Sequence, residues 1–198
     1  GRPKMAQPGP MPKLLPPVLS ALDLPAAELS AARLDGEMFC IGDGYASVDA
    51  ADDAAHRAFS FASGVPPRLV AERRTAAWIH GALSALPAVH EFCVDIEARY
   101  RAVGVGRHVT REVVFGDNDV VVIGTVRVTS YRRTAIDLLR QSGPLEQTDA
   151  DAIVWLAQTG GFTLQSVHTE LAARRHLPGK LAVAAKLEGL LAQPAETR

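Results

Sequence analysis

The sequence is poor in cysteine: Cys40 and Cys93 are the only two in 198 residues. Two thiols cannot build a disulfide framework or a Cys-based zinc site, and both are expected to stay reduced, as in a cytoplasm. Long apolar runs are lacking as well. No stretch approaches the roughly 20 residues that a helix needs to cross a bilayer, and no basic start leads into an apolar segment that would point to export. An excess of charge of either sign is missing: 21 Lys+Arg face 22 Asp+Glu, a net of −1, so total charge gives no pull toward nucleic acid. With 47% hydrophobic and 22% charged residues, disorder of the whole chain is excluded. The length suffices for one or two domains, and a chain of this size buries roughly 70% of its unfolded surface.

What is present is an uneven distribution of charge. Residues 1–66 carry −3, residues 67–140 carry +3 and residues 141–198 carry −1. The cations are 17 Arg and 4 Lys, and 11 of the arginines lie in the middle segment. Guanidinium groups suit planar, multi-donor contacts with carboxylates or phosphates. An Arg- and Ala-rich composition of the kind GC-rich genomes favour explains the same numbers without any partner.

Along the chain, the Pro- and Gly-rich residues 1–13 read as a disordered arm, with Gly1 a cloning scar ahead of a natural start at Met5 or Met11. LLPPVLSALD reads as a short helix opened by Pro16 and Pro17. Pro25 opens a second helix that Gly36 stops. EMFCIGDGYASVD reads as a hairpin turning at Gly42-Asp43-Gly44. Two helices and a hairpin form a reduced winged-helix module over residues 14–64. Asp49 is placed to cap a helix over 50–62. Residues 65–198 form a second unit, with strands over about 89–129 and helices over about 131–192. In it, Ala76, Ile79, His80 and Leu83 share a helix face, and Phe92, Val94 and Ile96 alternate inward on a half-buried strand. DVVVIGTVRVTS bends into a hairpin at Gly124. Ser130 caps the next helix, and later ones stack Ile153, Leu156 and Ala157, then Leu164, Val167 and Leu171, then Val183, Leu187, Leu190 and Leu191. The fold class is α+β.

The sharpest local feature is VTSYRRTAIDLLR, residues 128–140. Arg133 and Asp137 stand four apart on its helix and can pair, worth a few tenths of a kcal/mol at a surface. Alternatively, Arg133 ties the helix to the sheet through backbone carbonyls. This segment resembles the hallmark of the AbiEi family of bacterial antitoxins, V-T-S-x-x-R-T-hydrophobic-x-D-L, matched from Val128 to Leu138 through Ser130, Arg133, Thr134 and Asp137. RTAAWIHGAL, residues 74–83, resembles the family's helix start after the winged helix. The Gly-bent helical tail at His176-Leu177-Pro178-Gly179 fits as well. The likeness spans about residues 18–192.

The resemblance implies an antitoxin of a type IV-like system, encoded beside a nucleotidyltransferase-fold toxin. Its winged helix would bind operator DNA for autorepression, and its C-terminal domain would supply antitoxicity. A stand-alone winged-helix regulator is the alternative. In this chain the module carries −3 and its second helix only one cation, whereas DNA binding needs several phosphate contacts. If it reads DNA, Arg33 is the base reader and Lys13 and Arg57 bind phosphates. The Arg-rich middle offers a toxin surface through Arg73, Arg74, Arg99, Arg101, Arg107 and Arg111, although a solvated basic face explains it equally.

Other chemistry is thin. No phosphate loop, kinase Gly-rich loop or catalytic H-R-D is present, and no Ser stands in a hydrolase elbow. ATP and Mg²⁺ enter only if the antitoxin inactivates its toxin by phosphorylation, as an atypical serine/threonine kinase; no other cofactor is expected. The six histidines show no zinc-ligand spacing. His80 reads as a satisfied core histidine, Trp78 and Trp155 as core, and Asp117-Asn118-Asp119 as a turn.

Overall fold

The computed structural model describes residues 15–62, 64–98, 108–173 and 179–192. They form an α+β structure: a two-stranded antiparallel sheet, a five-stranded mixed sheet and seven α-helices.

The first part runs α1 (Ala26–Leu34), β1 (Met38–Ile41), β2 (Gly44–Ser47) and α2 (Ala54–Ala62). Gly36, at φ 77°, turns the chain out of α1, the left-handed stop that only glycine makes cheaply. Gly42 at φ 57° takes the first central position of the β1–β2 turn, as a II′ hairpin requires. The expected helix at LLPPVLSALD does not form over residues 15–24. Val18 and Leu19 are buried, and Leu19 bridges Tyr45 in an antiparallel pairing with backbone bonds of 2.8 and 2.9 Å. Pairing with the hairpin thus overrides local propensity. The described part of the module holds one helix, not two, before its hairpin. Helix α2 starts later than expected, because Asp53 and not Asp49 caps it: Asp53 Oδ1 accepts from His56 N at 2.9 Å.

The large sheet comprises β3 (Val70–Ala71), β4 (His90–Asp95), β5 (His108–Val113), β6 (Val120–Ile123) and β7 (Val126–Thr129), in the order β5-β4-β3-β7-β6. The β3–β7 and β4–β5 pairs are parallel and the others antiparallel. Helix α3 (Arg73–His80) follows β3, and a 3₁₀ turn (Ile96–Ala98) follows β4. One face of the sheet, with Ala71, Phe92, Val94 and Val128, packs on Ala58 and Phe61 of α2 and Ile79 of α3.

Strands β5 and β6 lie at opposite edges, so residues 114–119 must cross the sheet. Four strand spacings are about 19 Å, which six extended residues can just span. Phe115 packs with Val70, Cys93, Val113 and Val120, so the crossing runs over the face opposite α2 and α3. That cover buries β4 on both sides: Phe92, Cys93 and Val94 are all inaccessible, so the strand is not half-buried, and Ile96 lies outside it and exposed.

The chain ends in α4 (Tyr131–Leu139), α5 (Gln147–Thr159), α6 (Leu164–Ala173) and α7 (Lys180–Ala192). Their inward residues are the expected ones, except that Leu191 is exposed. Gly81, at φ 96°, ends α3 before Leu83, which is nonetheless buried beyond it. One apolar core runs from Val18, Ile41 and Ala46 through the sheet to Leu190.

Candidate functional site

The segment 128–140 forms the junction between β7 and α4. Ser130 Oγ accepts from Arg133 N at 3.5 Å, an N-cap contact worth about 1 kcal/mol. Thr134 Oγ1 donates to the Thr129 carbonyl at 3.0 Å and lies 2.7 Å from Thr129 Oγ1. The same carbonyl accepts from His80 Nε2 at 2.7 Å, which joins α3 to the junction. Nε2 of His80 therefore carries a proton; its Nδ1 has no partner, so the histidine is only half satisfied. Burial pulls its pKa down, against the Thr129 hydrogen bond.

Beside the junction lies a chain of charges that links three elements. Arg111 Nε on β5 stands 2.6 and 2.8 Å from the two carboxylate oxygens of Glu72. Its Nη2 lies 3.0 Å from Asp137 Oδ1 on α4, an ion pair without hydrogen-bond alignment. Arg133 Nε donates to Asp137 Oδ2 at 2.8 Å, and Arg133 Nη1 reaches Asp119 and, at 3.3 Å, the Val114 carbonyl. Glu72 and Asp137 are buried. Burial pushes the Glu72 carboxyl up, with Arg111 pulling the other way. Burial disfavours charge on Arg111, but Glu72 and Asp137 outweigh it and raise its pKa. Arg133 is raised in the same way by Asp137 and Asp119. Charges this enclosed persist only while paired, so Arg133 and Asp137 act as a tie from helix to sheet.

Over this chain opens a cleft of about 910 Å³ between the 114–119 crossing and helices α4 and α6. Arg111, Arg132, Arg133 and Arg140 line it, against Glu112, Asp117, Asp119 and Glu170. Arg132 binds Glu170 and, at 3.1 Å, Ser166 Oγ, and lies over the Phe162 ring. The Asp117-Asn118-Asp119 turn has Asn118 at φ 63° and Asp119 Oδ2 accepting from Gly116 N at 2.7 Å. Asp119 thus serves both the turn and Arg133, while Asp117 is exposed. The arrangement offers guanidinium donors along one helix face, and its one lining hydroxyl, Ser130, serves as a cap.

No known family model matches this chain, and no curated protein does either. Among the described residues no helix is long and apolar enough to cross a membrane, and no group of three His, Cys, Asp or Glu side chains could hold a metal ion.

Of the arginines singled out in the sequence, Arg73 and Arg111 meet at Glu72, at 3.9 and 2.6 Å. Arg111 lies in the charge chain. Arg74 donates to both oxygens of Asp149 at 2.8 and 2.9 Å and pairs with Glu146; these bonds, above all to Asp149, raise its pKa despite burial. Arg73 lies 3.4 Å from Glu91, and its backbone sits at φ 48° at the start of α3. Lys13, Arg99, Arg101 and Arg107 lie outside the described residues. Arg57 faces inward, bound to Asp52 at 2.6 and 2.7 Å and to the Trp78 carbonyl at 2.8 Å, while Arg33 is exposed in the last turn of α1. Sequence reasoning passed over Arg132 and Arg140. With Ile136 they repeat at i, i+4 and i+8, a legible stripe along α4.

Proposed function

We propose that this chain is a cytoplasmic antitoxin of the AbiEi type that neutralises a nucleotidyltransferase-fold toxin by direct contact at the α4 cleft. One observation carries the reading: the segment that resembles the family hallmark builds the wall of a cleft lined by four arginines, Arg111, Arg132, Arg133 and Arg140. Its polar residues Ser130, Arg133, Thr134 and Asp137 serve the scaffold, and Arg132 and Arg140 of the same segment line the opening. Guanidinium forks suit the acidic metal ligands or bound phosphates of such a toxin. A partner carboxylate would replace Glu170 on Arg132.

The test is co-purification with the nucleotidyltransferase-like product of the adjacent gene. Wild type captures it, and R132E/R140E loses capture by about tenfold or more, as expected for reversed charges at a central contact, while circular dichroism stays unchanged. Equal capture by the variant overturns this surface. Intact mass of the toxin after incubation with ATP and Mg²⁺ separates contact from phosphorylation: no added phosphate is expected.

Operator binding remains the second reading, favoured by the order α1–β1–β2. Against it, Glu28, Asp35 and Glu37 surround Arg33 on the exposed surface of this module, where a duplex asks for cations. An electrophoretic shift with upstream DNA at low salt decides it, and none is expected at micromolar protein.

A further inference from the structure

Among the described residues, strand β6 is an edge of the large sheet and is bonded only to β7. The hairpin between them closes through Gly124-Thr125, with Ile123 opposite Val126. A two-residue loop makes that flanking pair the hydrogen-bonded one, and bonded pairs recur at every second position. Asp119, whose carbonyl accepts from Ser130 N at 2.9 Å, keeps this alternation. Val121 and Ile123 therefore spend their backbone groups on β7, while Val120 and Val122 point theirs out of the sheet. The side chains at this edge are all apolar, and Val122 is 68% exposed. The opposite edge, β5, is different: it carries His108, Arg111 and Glu112 and no such apolar run. Charged side chains are the usual protection against edge pairing. One edge is guarded and the other is not.

We propose that β6 pairs antiparallel with β6 of a second copy of this chain, across a two-fold axis at Val121. A second copy meets the strand's open groups in full. About that axis Val120 of one copy faces Val122 of the other, and each such pair exchanges two hydrogen bonds, so the outward groups of both residues are satisfied together. Val120 and Val122 stand on one face of the sheet, and the pairing gathers them from both copies into one apolar row. A net charge of −1 per chain leaves little repulsion between copies. The edge is short, so the contact belongs to the small, reversible class of interface. It uses neither Arg132 nor Arg140 and does not depend on that reading.

Sedimentation of the full chain from about 1 to 200 µM, the range that a small interface calls for, is expected to show a monomer–dimer equilibrium. V122K is expected to remain monomeric throughout, because it charges the edge at an exposed position that gives no bond to β7. V122P removes an outward N–H and is expected to do the same. In amide exchange, Val120 and Val122 gain protection as concentration rises, while Val121 and Ile123 hold a constant level. A wild type that stays monomeric, a V122K that dimerises like wild type, or a dimer in which Val120 and Val122 gain no protection overturns the proposal.

Discussion

Arg133 Nε donates to Asp137 Oδ2 across one helical turn at 2.8 Å, to a carboxylate that has no exposure to solvent. A pair at this spacing on an open surface contributes only tenths of a kcal/mol. Here the same carboxylate also faces Arg111, and removing its charge leaves two enclosed guanidiniums without their shared anion. D137N is therefore expected to lose about 3 kcal/mol or more, the usual cost of breaking a buried ion pair. D117N, at an exposed position of the nearby turn, should stay within about 0.5 kcal/mol of wild type. Urea unfolding of the two variants measures the contrast; equal stabilities would show that the network holds nothing together.

His80 gives the fold a dependence on pH. Burial lowers its pKa from the ordinary 6.5, so below that value the unfolded chain binds the proton more readily than the folded one. Stability is then fully present above the unfolded pKa and falls as pH drops below it toward the folded value. Glu72, raised by burial, acts in the opposite sense: its folded form holds the proton longer, so its contribution is lost as pH rises through the carboxylate range. Comparing wild type with H80Q cancels Glu72. The stability difference between the two is expected to change between pH 7 and 5 in favour of H80Q, and a pH-independent difference would contradict the assignment.

The two cysteines should differ sharply in reactivity. Cys40 is exposed and Cys93 buried, where desolvation and the neighbouring Glu72 carboxylate push the Cys93 thiol well up. Thiolates, not thiols, react. A disulfide reagent at neutral pH is expected to modify Cys40 alone in the native protein and Cys93 only after denaturation. Rapid native labelling of Cys93 would mean that the 114–119 crossing does not cover the sheet.

Local signals read well in this sequence, and distant ones did not. Ser130 as a cap, Gly42 and Gly124 as hairpin turns, and the inward stripe of α5 depend on neighbours within a few positions, and each is where the spacing puts it. The leading LLPPVLSALD failed because its apolar residues fit a helix and a bridge equally, and Tyr45 decided between them. Strand β3 is two residues long, too short to carry any period, yet it sits at the centre of the sheet. The arginines were the hardest. Arg111 meets Glu72 from 39 positions away and Arg74 meets Asp149 from 75, so the described members of an apparent basic surface turn on the chain's own carboxylates. The Arg132–Arg140 stripe was legible as spacing, but its place in the wall of the α4 cleft was not.

The most direct test is rescue of growth in cells that express the adjacent nucleotidyltransferase-like protein. Wild type is expected to restore growth, D117N to restore it equally, and R132E/R140E to fail although it accumulates as a folded protein. Growth arrest that wild type cannot relieve, or full rescue by R132E/R140E, would contradict neutralisation through the α4 cleft.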